Sequence, residues 1–276
     1  MIESAIRSDD AATVNAVVKA AKETQPQDSA EIDAMKHKFD ETHTLVVAEK
    51  AEHDRERVLA ARPLQLWKGE GEIGAFNSTG NTSSVGISVG LKLDREGVYW
   101  QHKLQFSGDY QKTSGVVSRE QYLASYNPRY TLSDRFYAYG LGQFESDRFQ
   151  GYHSRYSLSP GVGYRFSNTD ALKLSFEGGP ALRFTDYIDE PNKTTTSVLG
   201  SLDLAWKPAK AIRLTQQASA YVESDNSTFT STTSLEAGML KGLKARLSYR
   251  VEHDTDPPDA SRQTDTLSRF TLVYGF

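Results

Sequence analysis

The sequence predicts a closed antiparallel β-barrel of about 12 strands, of the kind that spans a bacterial outer membrane, behind an α-helical N-terminal extension. Apolar and polar residues alternate from residue 66 to the last residue, which is the pattern of strands with one apolar and one polar face. The alternating segments are about 10–15 residues long, close to the length of a tilted transmembrane strand. Short and longer connections also alternate along the chain, as they do in outer-membrane barrels.

The composition excludes several classes of protein. The chain has 276 residues, 32 of them basic and 36 acidic, and its formal net charge of −4 argues against a nucleic-acid partner. It has no cysteine, which excludes disulfides, thiolate metal sites and cysteine nucleophiles. No apolar run approaches the roughly 18 residues of a transmembrane helix. We expect neither a cofactor nor a bound metal.

Residues 1–62 predict an extension of two helices. Asp9 and Asp10 are candidate N-caps for an alanine-rich helix over 11–24. A second, longer helix follows and ends before Pro63, which cannot continue it. Its short apolar face contains Ile32, Met35 and Phe39. The extension is either a solvated helical hairpin, or a plug, an oligomerisation arm or an arm that binds an envelope partner.

Residues 63–276 predict the barrel. Leu172 and Leu174, for example, alternate with Lys173 and Ser175. A soluble β-sandwich would also show alternation, but its strands usually have only about five or six residues. The predicted strands span residues 66–77, 83–94, 97–110, 119–132, 135–146, 153–167, 171–185, 195–207, 210–223, 227–240, 243–254 and 264–276.

The connections between these strands fall into two groups. Short ones are predicted at 94–97, 133–134, 167–170, 208–209 and 241–242, and longer ones at 112–119, 146–152, 186–194 and 255–263. Outer-membrane barrels keep their short turns in the periplasm, and an even number of strands brings both barrel ends to that side. We therefore expect residues 1–62 to be periplasmic. The first residues lack the basic and apolar parts of an export signal, so we expect that a signal peptide has been removed from this chain.

The residues of the last predicted strand form a pattern that predicts how the barrel is assembled in the membrane. Apolar residues alternate up to a terminal phenylalanine, and they resemble the C-terminal β-signal by which barrel-assembly machinery recognises its substrates. The mechanism implied is pairing of this edge strand with the machinery before the barrel closes. We therefore expect two partners, outer-membrane lipid and the assembly machinery. The β-signal residues are Phe270, Leu272, Tyr274 and Phe276.

Charges of both signs occupy the predicted inward faces. Ions removed from water need partners, so these side chains are expected to pair across the lumen. A barrel of about eight strands is filled by side chains and one of about sixteen holds an aqueous channel. A narrow pore and a closed, salt-bridged interior therefore both stay open. The candidate lumen residues are Lys103, Arg129, Arg165, Arg183, Arg213, Arg246, Arg250, Glu70, Glu72, Glu177, Asp203 and Glu252.

A membrane-embedded hydrolase would also suit about 12 strands. Such an enzyme needs a nucleophile, a base and an orienting group. The nearest set is His253, Asp254 and Ser261, beside a long predicted loop, and it lacks the histidine–serine–asparagine arrangement of outer-membrane phospholipases. The sequence therefore predicts no catalytic residues and no enzyme.

Short motifs carry a resemblance to a known family. Residues 69–74 (Gly-Glu-Gly-Glu-Ile-Gly) form a first strand that runs into residues 78–82 (Ser-Thr-Gly-Asn-Thr). Residues 164–166 (Tyr-Arg-Phe) and 274–276 (Tyr-Gly-Phe) follow later. With these motifs the chain resembles the DUF481-like family of salt-induced outer-membrane proteins. The resemblance implies an outer-membrane location, supplies no catalytic residues and leaves residues 1–62 outside the matched part.

Two kinds of function follow from these patterns. The first is an envelope barrel with a structural or narrow-channel role, linked to osmotic conditions through the resemblance. The second is a subunit of an envelope complex, or a homo-oligomer, that associates through residues 1–62.

Overall fold

In the computed structural model the chain forms two compact units, Met1–Pro63 and Leu64–Phe276. None of the described helices combines the length and the apolar character needed to cross a membrane. The structure describes residues 1–8, 10–79, 84–113, 116–189, 191–224, 227–256 and 263–276.

The first unit contains three helices: α1 (Ile2–Arg7), α2 (Ala11–Thr24) and α3 (Ser29–Ala60). Asp10 caps α2, because its carboxylate accepts hydrogen bonds from the backbone N–H groups of Ala12 and Thr13 at 3.3 and 3.2 Å. Asp9, the other predicted cap, lies outside the described residues. The two predicted helices are α2 and α3, and the prediction missed α1, which has only 6 residues and is too short to show a helical period.

The core of this unit is small and uses only the first part of α3. It consists of Ala5, Val14, Val18, Ile32 and Phe39. Beyond Phe39 no described residue of α3 belongs to this core, and Leu45 is 71% exposed. Tertiary packing supplies most of the stability of a helix in a protein. The part of α3 after Phe39, residues 40–60, therefore lacks the packing that holds the rest of the unit together.

The second unit is a closed antiparallel barrel in which each strand pairs with its neighbours in sequence and the first pairs with the last. The predicted fold class is thus confirmed. The strands are β1 (Trp67–Thr79), β2 (Ser84–Glu96), β3 (Trp100–Thr113), β4 (Val116–Thr131), β5 (Phe136–Asp147), β6 (Tyr152–Asn168), β7 (Leu172–Tyr187), β8 (Lys193–Ala209), β9 (Ile212–Val222), β10 (Thr228–Leu240), β11 (Leu243–Asp254) and β12 (Thr264–Gly275).

One predicted connection was wrong. The polar segment 112–119 was expected to be a loop, but β3 continues through Thr113 and β4 begins at Val116. A bulge after Gln111 shifts the register, and Lys112 then pairs with Val117. The bulge lets the ladder continue with one residue unpaired, so polar composition alone did not mark the end of the strand.

The barrel closes where the last residue meets the beginning of β1. Gly69 and Phe276 exchange two backbone hydrogen bonds, each 2.9 Å long. A Cβ atom on Gly69 would lie 2.3 Å from the Phe276 ring, so the ring packs directly on the glycine backbone. The closing seam therefore depends on a residue without a side chain at one position and on the terminal aromatic at the other.

The two faces of the barrel wall have opposite character. Outward positions carry apolar side chains that are largely exposed, and Val162, for example, is 62% exposed. Inward positions carry charged side chains, several of which are almost fully covered, such as Arg129 at 8% and Glu177 at 6%. This distribution suits a barrel whose outer wall contacts lipid and whose lumen is polar.

Candidate functional site

The lumen wall brings the chemically distinctive side chains together. The strand register places all 12 of the predicted lumen residues on the inward face, where Arg129 lies opposite Gln101, Glu177 opposite Gly163 and Arg246 opposite Glu236. They do not form one continuous network. The residues with ion pairs form two clusters and a set of separate pairs, and two of the predicted residues, Lys103 and Arg165, have no ion pair with a described residue.

The first group, the Arg246 cluster, joins β1, β9, β10 and β11 near the closing seam. Arg246 Nη2 lies 2.6 Å from Glu236 Oε1 and 3.2 Å from Glu70 Oε2. Lys244 Nζ is 2.5 Å from Glu70 Oε1. One guanidinium thus bridges carboxylates of strands on both sides of it. The cluster consists of Glu70, Glu72, Arg213, Glu236, Lys244 and Arg246, with Glu72 paired to Arg246 and Arg213 4.0 Å from Glu236.

The second group, the Arg129 cluster, joins β4 with β7 and β8, strands that are not neighbours of β4 in the ring. Arg129 Nη2 on β4 lies 2.6 Å from Glu177 Oε1 on β7 and 3.3 Å from Asp203 Oδ2 on β8. Since β4 and β7 are three strands apart, these side chains meet across the interior and not along the wall. Asn127 Oδ1 accepts a hydrogen bond from Arg129 Nε at 3.0 Å. Gln217 Nε2 donates to Asp203 Oδ1 at 3.0 Å.

The remaining ion pairs lie toward the longer connections. Arg183 Nη1 is 2.9 Å from Glu223 Oε1, and Arg250 Nη2 is 2.6 Å from Glu252 Oε2. Arg269 on β12 reaches Asp109 on β3, three strands away, with 2.5 Å between Nη2 and Oδ2. Cross-lumen contacts therefore occur at more than one level of the barrel.

Aromatic rings inside the lumen were not predicted from the sequence. The Tyr137 ring lies between two guanidinium groups, with its centroid 5.2 Å from Arg129 Cζ and 4.5 Å from Arg165 Cζ. Phe76 lies similarly between Arg119 and Arg269, 5.8 Å from each. Guanidinium groups stack favourably on aromatic faces. The sequence does carry a signal for these lumen rings, because Tyr137 and Phe76 each occupy an inward position in the two-residue period of their strands.

Glycines on the neighbouring strands make room for these rings. A Cβ atom on Gly163 would lie 2.2 Å from Tyr137 Cζ, and one on Gly86 would lie 2.4 Å from Phe76 Cζ. Each ring therefore packs on the backbone of the adjacent strand and lies within cation–π distance of two arginine side chains. Glycine, aromatic ring and arginine together fix where the charges stand in the lumen.

The lumen is not filled everywhere. Lys103 and Lys173 are inward-facing but exposed, and neither forms an ion pair with a described residue. Among the described residues, the guanidinium of Arg165 has a 3.5 Å hydrogen bond to Thr131 Oγ1 and its contact with the Tyr137 ring, and no ion pair. Space accessible to water thus remains beside the Arg129 cluster.

The outer wall carries an aromatic belt at the end with the short turns. Trp100 and Tyr130 have ring centroids 5.0 Å apart, and Phe136 and Tyr164 have centroids 4.8 Å apart. His102 Nδ1 lies 2.9 Å from Tyr126 Oη within the same belt. Amphipathic rings favour the boundary between lipid and water. The belt, the apolar wall and the polar lumen together define an outer-membrane β-barrel.

The chain belongs to the family described as "Protein of unknown function, DUF481", whose model matches residues 71–276. The resemblance drawn from the short motifs is thus confirmed. Residues 80–82 of the Ser-Thr-Gly-Asn-Thr motif lie outside the described residues. So does Ser261, which was considered as part of a hydrolase site. A relative from Escherichia coli K12, "Uncharacterized protein YdiY", is 27% identical over 209 residues, which cover 75% of this chain and 82% of the relative.

Two solved structures share the barrel architecture. The NanC porin superposes with a TM-score of 0.53 at 10% identity, covering 74% of this chain and 98% of that one. An outer-membrane channel from Pseudomonas putida F1 gives a TM-score of 0.51 at 7% identity, covering 78% of this chain and all of the other. At these identities the likeness extends to the fold.

Proposed function

We propose that this barrel is a narrow outer-membrane channel whose lumen is occluded at rest by its own ion pairs. The observation that carries the proposal is the Arg129 cluster, in which side chains from β4, β7 and β8 meet across the interior. Side chains that line a wide aqueous pore would keep much of their surface accessible to water. Arg129 and Glu177 keep less than a tenth of theirs.

A channel role explains the charges better than a purely structural role. Filling a lumen with apolar residues is as stable as filling it with buried ion pairs, or more so, because burying ions is costly. Ion pairs can exchange partners, and the exposed Lys103 provides an alternative cation beside Glu177 and Asp203. Salt screens the covered Arg129–Glu177 pair only weakly and the exposed Lys103 more strongly, so raised ionic strength is expected to change the exchange of partners more than the pair itself.

The proposed orientation has residues 1–62 in the periplasm. Both ends of the barrel sheet, at Trp67 and Gly275, lie on the side of the short turns, and outer-membrane barrels keep that side in the periplasm. An export signal that is later removed is part of the same proposal, because an outer-membrane protein must cross the inner membrane.

Single-channel conductance in planar bilayers tests the proposal. We expect the wild-type protein to show closed or very small steps, and the double variant Arg129→Gln/Glu177→Gln to show larger and more frequent ones. Arg135→Gln is the matched control, since Arg135 lies in a short turn and bonds to Tyr164 Oη at 3.1 Å, outside the lumen. Equal conductance of all three proteins would refute occlusion by the Arg129 cluster. Silence of the double variant would favour a structural barrel.

The second part of α3 favours one further candidate, a subunit that binds an envelope partner. Leu45, Val47 and Leu59 are exposed on a helix that has no core contacts there among the described residues. A photo-reactive residue at Leu45 is expected to give one discrete adduct in intact cells, whereas the same residue at Lys19 on α2 is expected to give none. Absence of an adduct at Leu45 would remove this candidate.

A further inference from the structure

One flank of the outer wall carries polar side chains inside its apolar band. Gln216 on β9, and Ser231 and Thr233 on β10, point outward, and Gln216 lies directly opposite Thr233. The outward positions on either side of them along the two strands are apolar: Leu214, Ala218, Leu235 and Phe229. The polar group therefore lies within the band that faces hydrocarbon, and not at its edge.

These side chains satisfy one another only in part. Gln216 Nε2 donates to Ser231 Oγ at 2.8 Å, and Thr233 Oγ1 donates to Gln216 Oε1. The hydroxyl hydrogen of Ser231 and the remaining lone pairs of Gln216 Oε1 and Thr233 Oγ1 stay available for a partner. Lipid tails offer no hydrogen-bonding group, so a polar group that faces them is unfavourable.

A groove runs beside the polar group. It has a volume of about 420 Å³ and includes Gly200, Ala218 and Ala220, three small residues on adjacent strands. Phe176 and Phe229 border it, and Ser231 connects it with the polar group. Small residues that admit close approach, together with hydrogen-bonding side chains, are typical of surfaces that pack against protein inside membranes.

We propose that a second copy of this chain packs on this flank, formed by the outward faces of β8–β11, within the membrane. Amide and hydroxyl groups both donate and accept, so the polar group is complementary to a copy of itself. Among the described outward residues of β9, β10 and β11 there is no Asp, Glu, Lys or Arg, and His253, beside Phe229, is the one titratable imidazole there. Two identical flanks therefore meet without a carboxylate, ammonium or guanidinium charge on either side. The exposed rings of Phe176 and Phe229 supply the bulk that the groove of a partner barrel accepts.

The outward face of β6, outside this flank, provides an internal control. Leu158, Pro160 and Val162 are consecutive outward positions there, and none of their side chains can donate a hydrogen bond. Val162 is well exposed and lies away from both ends of β6. Ordinary lipid contact is sufficient for such a surface.

Cysteine cross-linking in isolated outer membranes tests the proposal, and the natural absence of cysteine makes single-cysteine variants unambiguous. Ala218→Cys, Leu235→Cys and Leu247→Cys sample the flank, and Val162→Cys is the control. We expect a short bis-maleimide to give a dimer at one or more of the three flank positions and none at residue 162. Adding Gln216→Leu is expected to lower the yield roughly three- to tenfold, the effect of losing a hydrogen bond inside a membrane.

A heat-modifiable band on gels confirms that each variant is folded before the comparison is made. Folded flank variants that give no dimer, with a single-barrel mass in native mass spectrometry, would overturn the proposal. A single-barrel mass that carries a tightly held lipid would assign the groove to lipid instead. Equal cross-linking at residue 162 would mean random collision and would also overturn it.

Discussion

Neighbouring residues of β7 show how different the two faces of this barrel are. Phe176 points outward and is 47% exposed, whereas Glu177 points inward and is 6% exposed. In a soluble protein the exposures of a phenylalanine and a glutamate would normally be the reverse. The outer face is stable because lipid replaces a core, and the inner face is stable because each covered charge has a partner. A change on each face should therefore act through a different mechanism.

The largest effect is expected at the seam where both faces close. Deleting Phe276 removes both hydrogen bonds to Gly69 and the last residue of the predicted β-signal, which also includes Phe270, Leu272 and Tyr274. We expect almost no folded barrel in outer-membrane fractions, measured by the heat-dependent shift on gels. Tyr99→Ala, which removes an exposed ring in a short turn, should assemble normally. Full assembly without Phe276 would contradict the β-signal assignment.

Removing one charge from the inner face is the next largest change. Glu177→Gln leaves the covered guanidinium of Arg129 with Asp203 alone, and breaking a buried pair in this way costs about 3–5 kcal/mol. Urea unfolding in liposomes should show this loss, and a smaller loss for Arg129→Gln/Glu177→Gln. Glu96→Gln at the exposed end of β2 is the control. Equal stability of Glu177→Gln and Glu96→Gln would mean that the inner pairs do not stabilise the wall.

Adding one charge to the outer face should cost somewhat less. Val162→Lys places an ammonium group among lipid tails, which costs about 2–4 kcal/mol near the middle of a bilayer. Val162→Leu, which keeps the site apolar, should stay within roughly 0.5 kcal/mol of the wild type. The same unfolding measurement separates the two variants. If Val162→Lys is as stable as the wild type, residue 162 does not face hydrocarbon.

The smallest expected effect comes from one methyl group inside the lumen. Gly163→Ala forces the Tyr137 ring off the backbone on which it rests, and overpacking of this kind costs about 1–3 kcal/mol. Gly142→Ala is the matched control, because a Cβ atom there would meet nothing within 4 Å. Unfolding curves should show that Gly163→Ala is less stable than Gly142→Ala. Identical curves would show that the ring can move at no cost.

The sequence determines much of the barrel, since a period of two residues specifies a strand and both of its faces at once. The strands were found to within about three residues, and the predicted lumen residues lie on the inward face, because parity alone decides which way a strand residue points. Which charges pair was not predictable. Arg129 meets Glu177 and Arg269 meets Asp109 only after twelve strands have closed into a ring with a particular stagger.

Other features were hidden for local reasons. The stacking of Tyr137 between Arg129 and Arg165 depends on the absence of a side chain at Gly163, on the neighbouring strand. Helix α1 is too short to show a helical period. The end of β3 is polar and carries a bulge, so its composition resembles that of a loop although the strand continues. Each of these depends on contacts between segments that are distant in sequence or on too few residues to form a pattern.

Reaction of a single lumen cysteine with a bulky, water-soluble maleimide tests most directly whether ion pairs occlude the barrel. Ser201 is suitable because it faces inward and lies opposite Glu177. We expect Ser201→Cys to react slowly in the otherwise wild-type barrel and at least about ten times faster with Arg129→Gln/Glu177→Gln, while Asp189→Cys in a long connection reacts rapidly in both. If Ser201→Cys reacts as fast as Asp189→Cys with the ion pairs intact, the lumen is open and the account is contradicted.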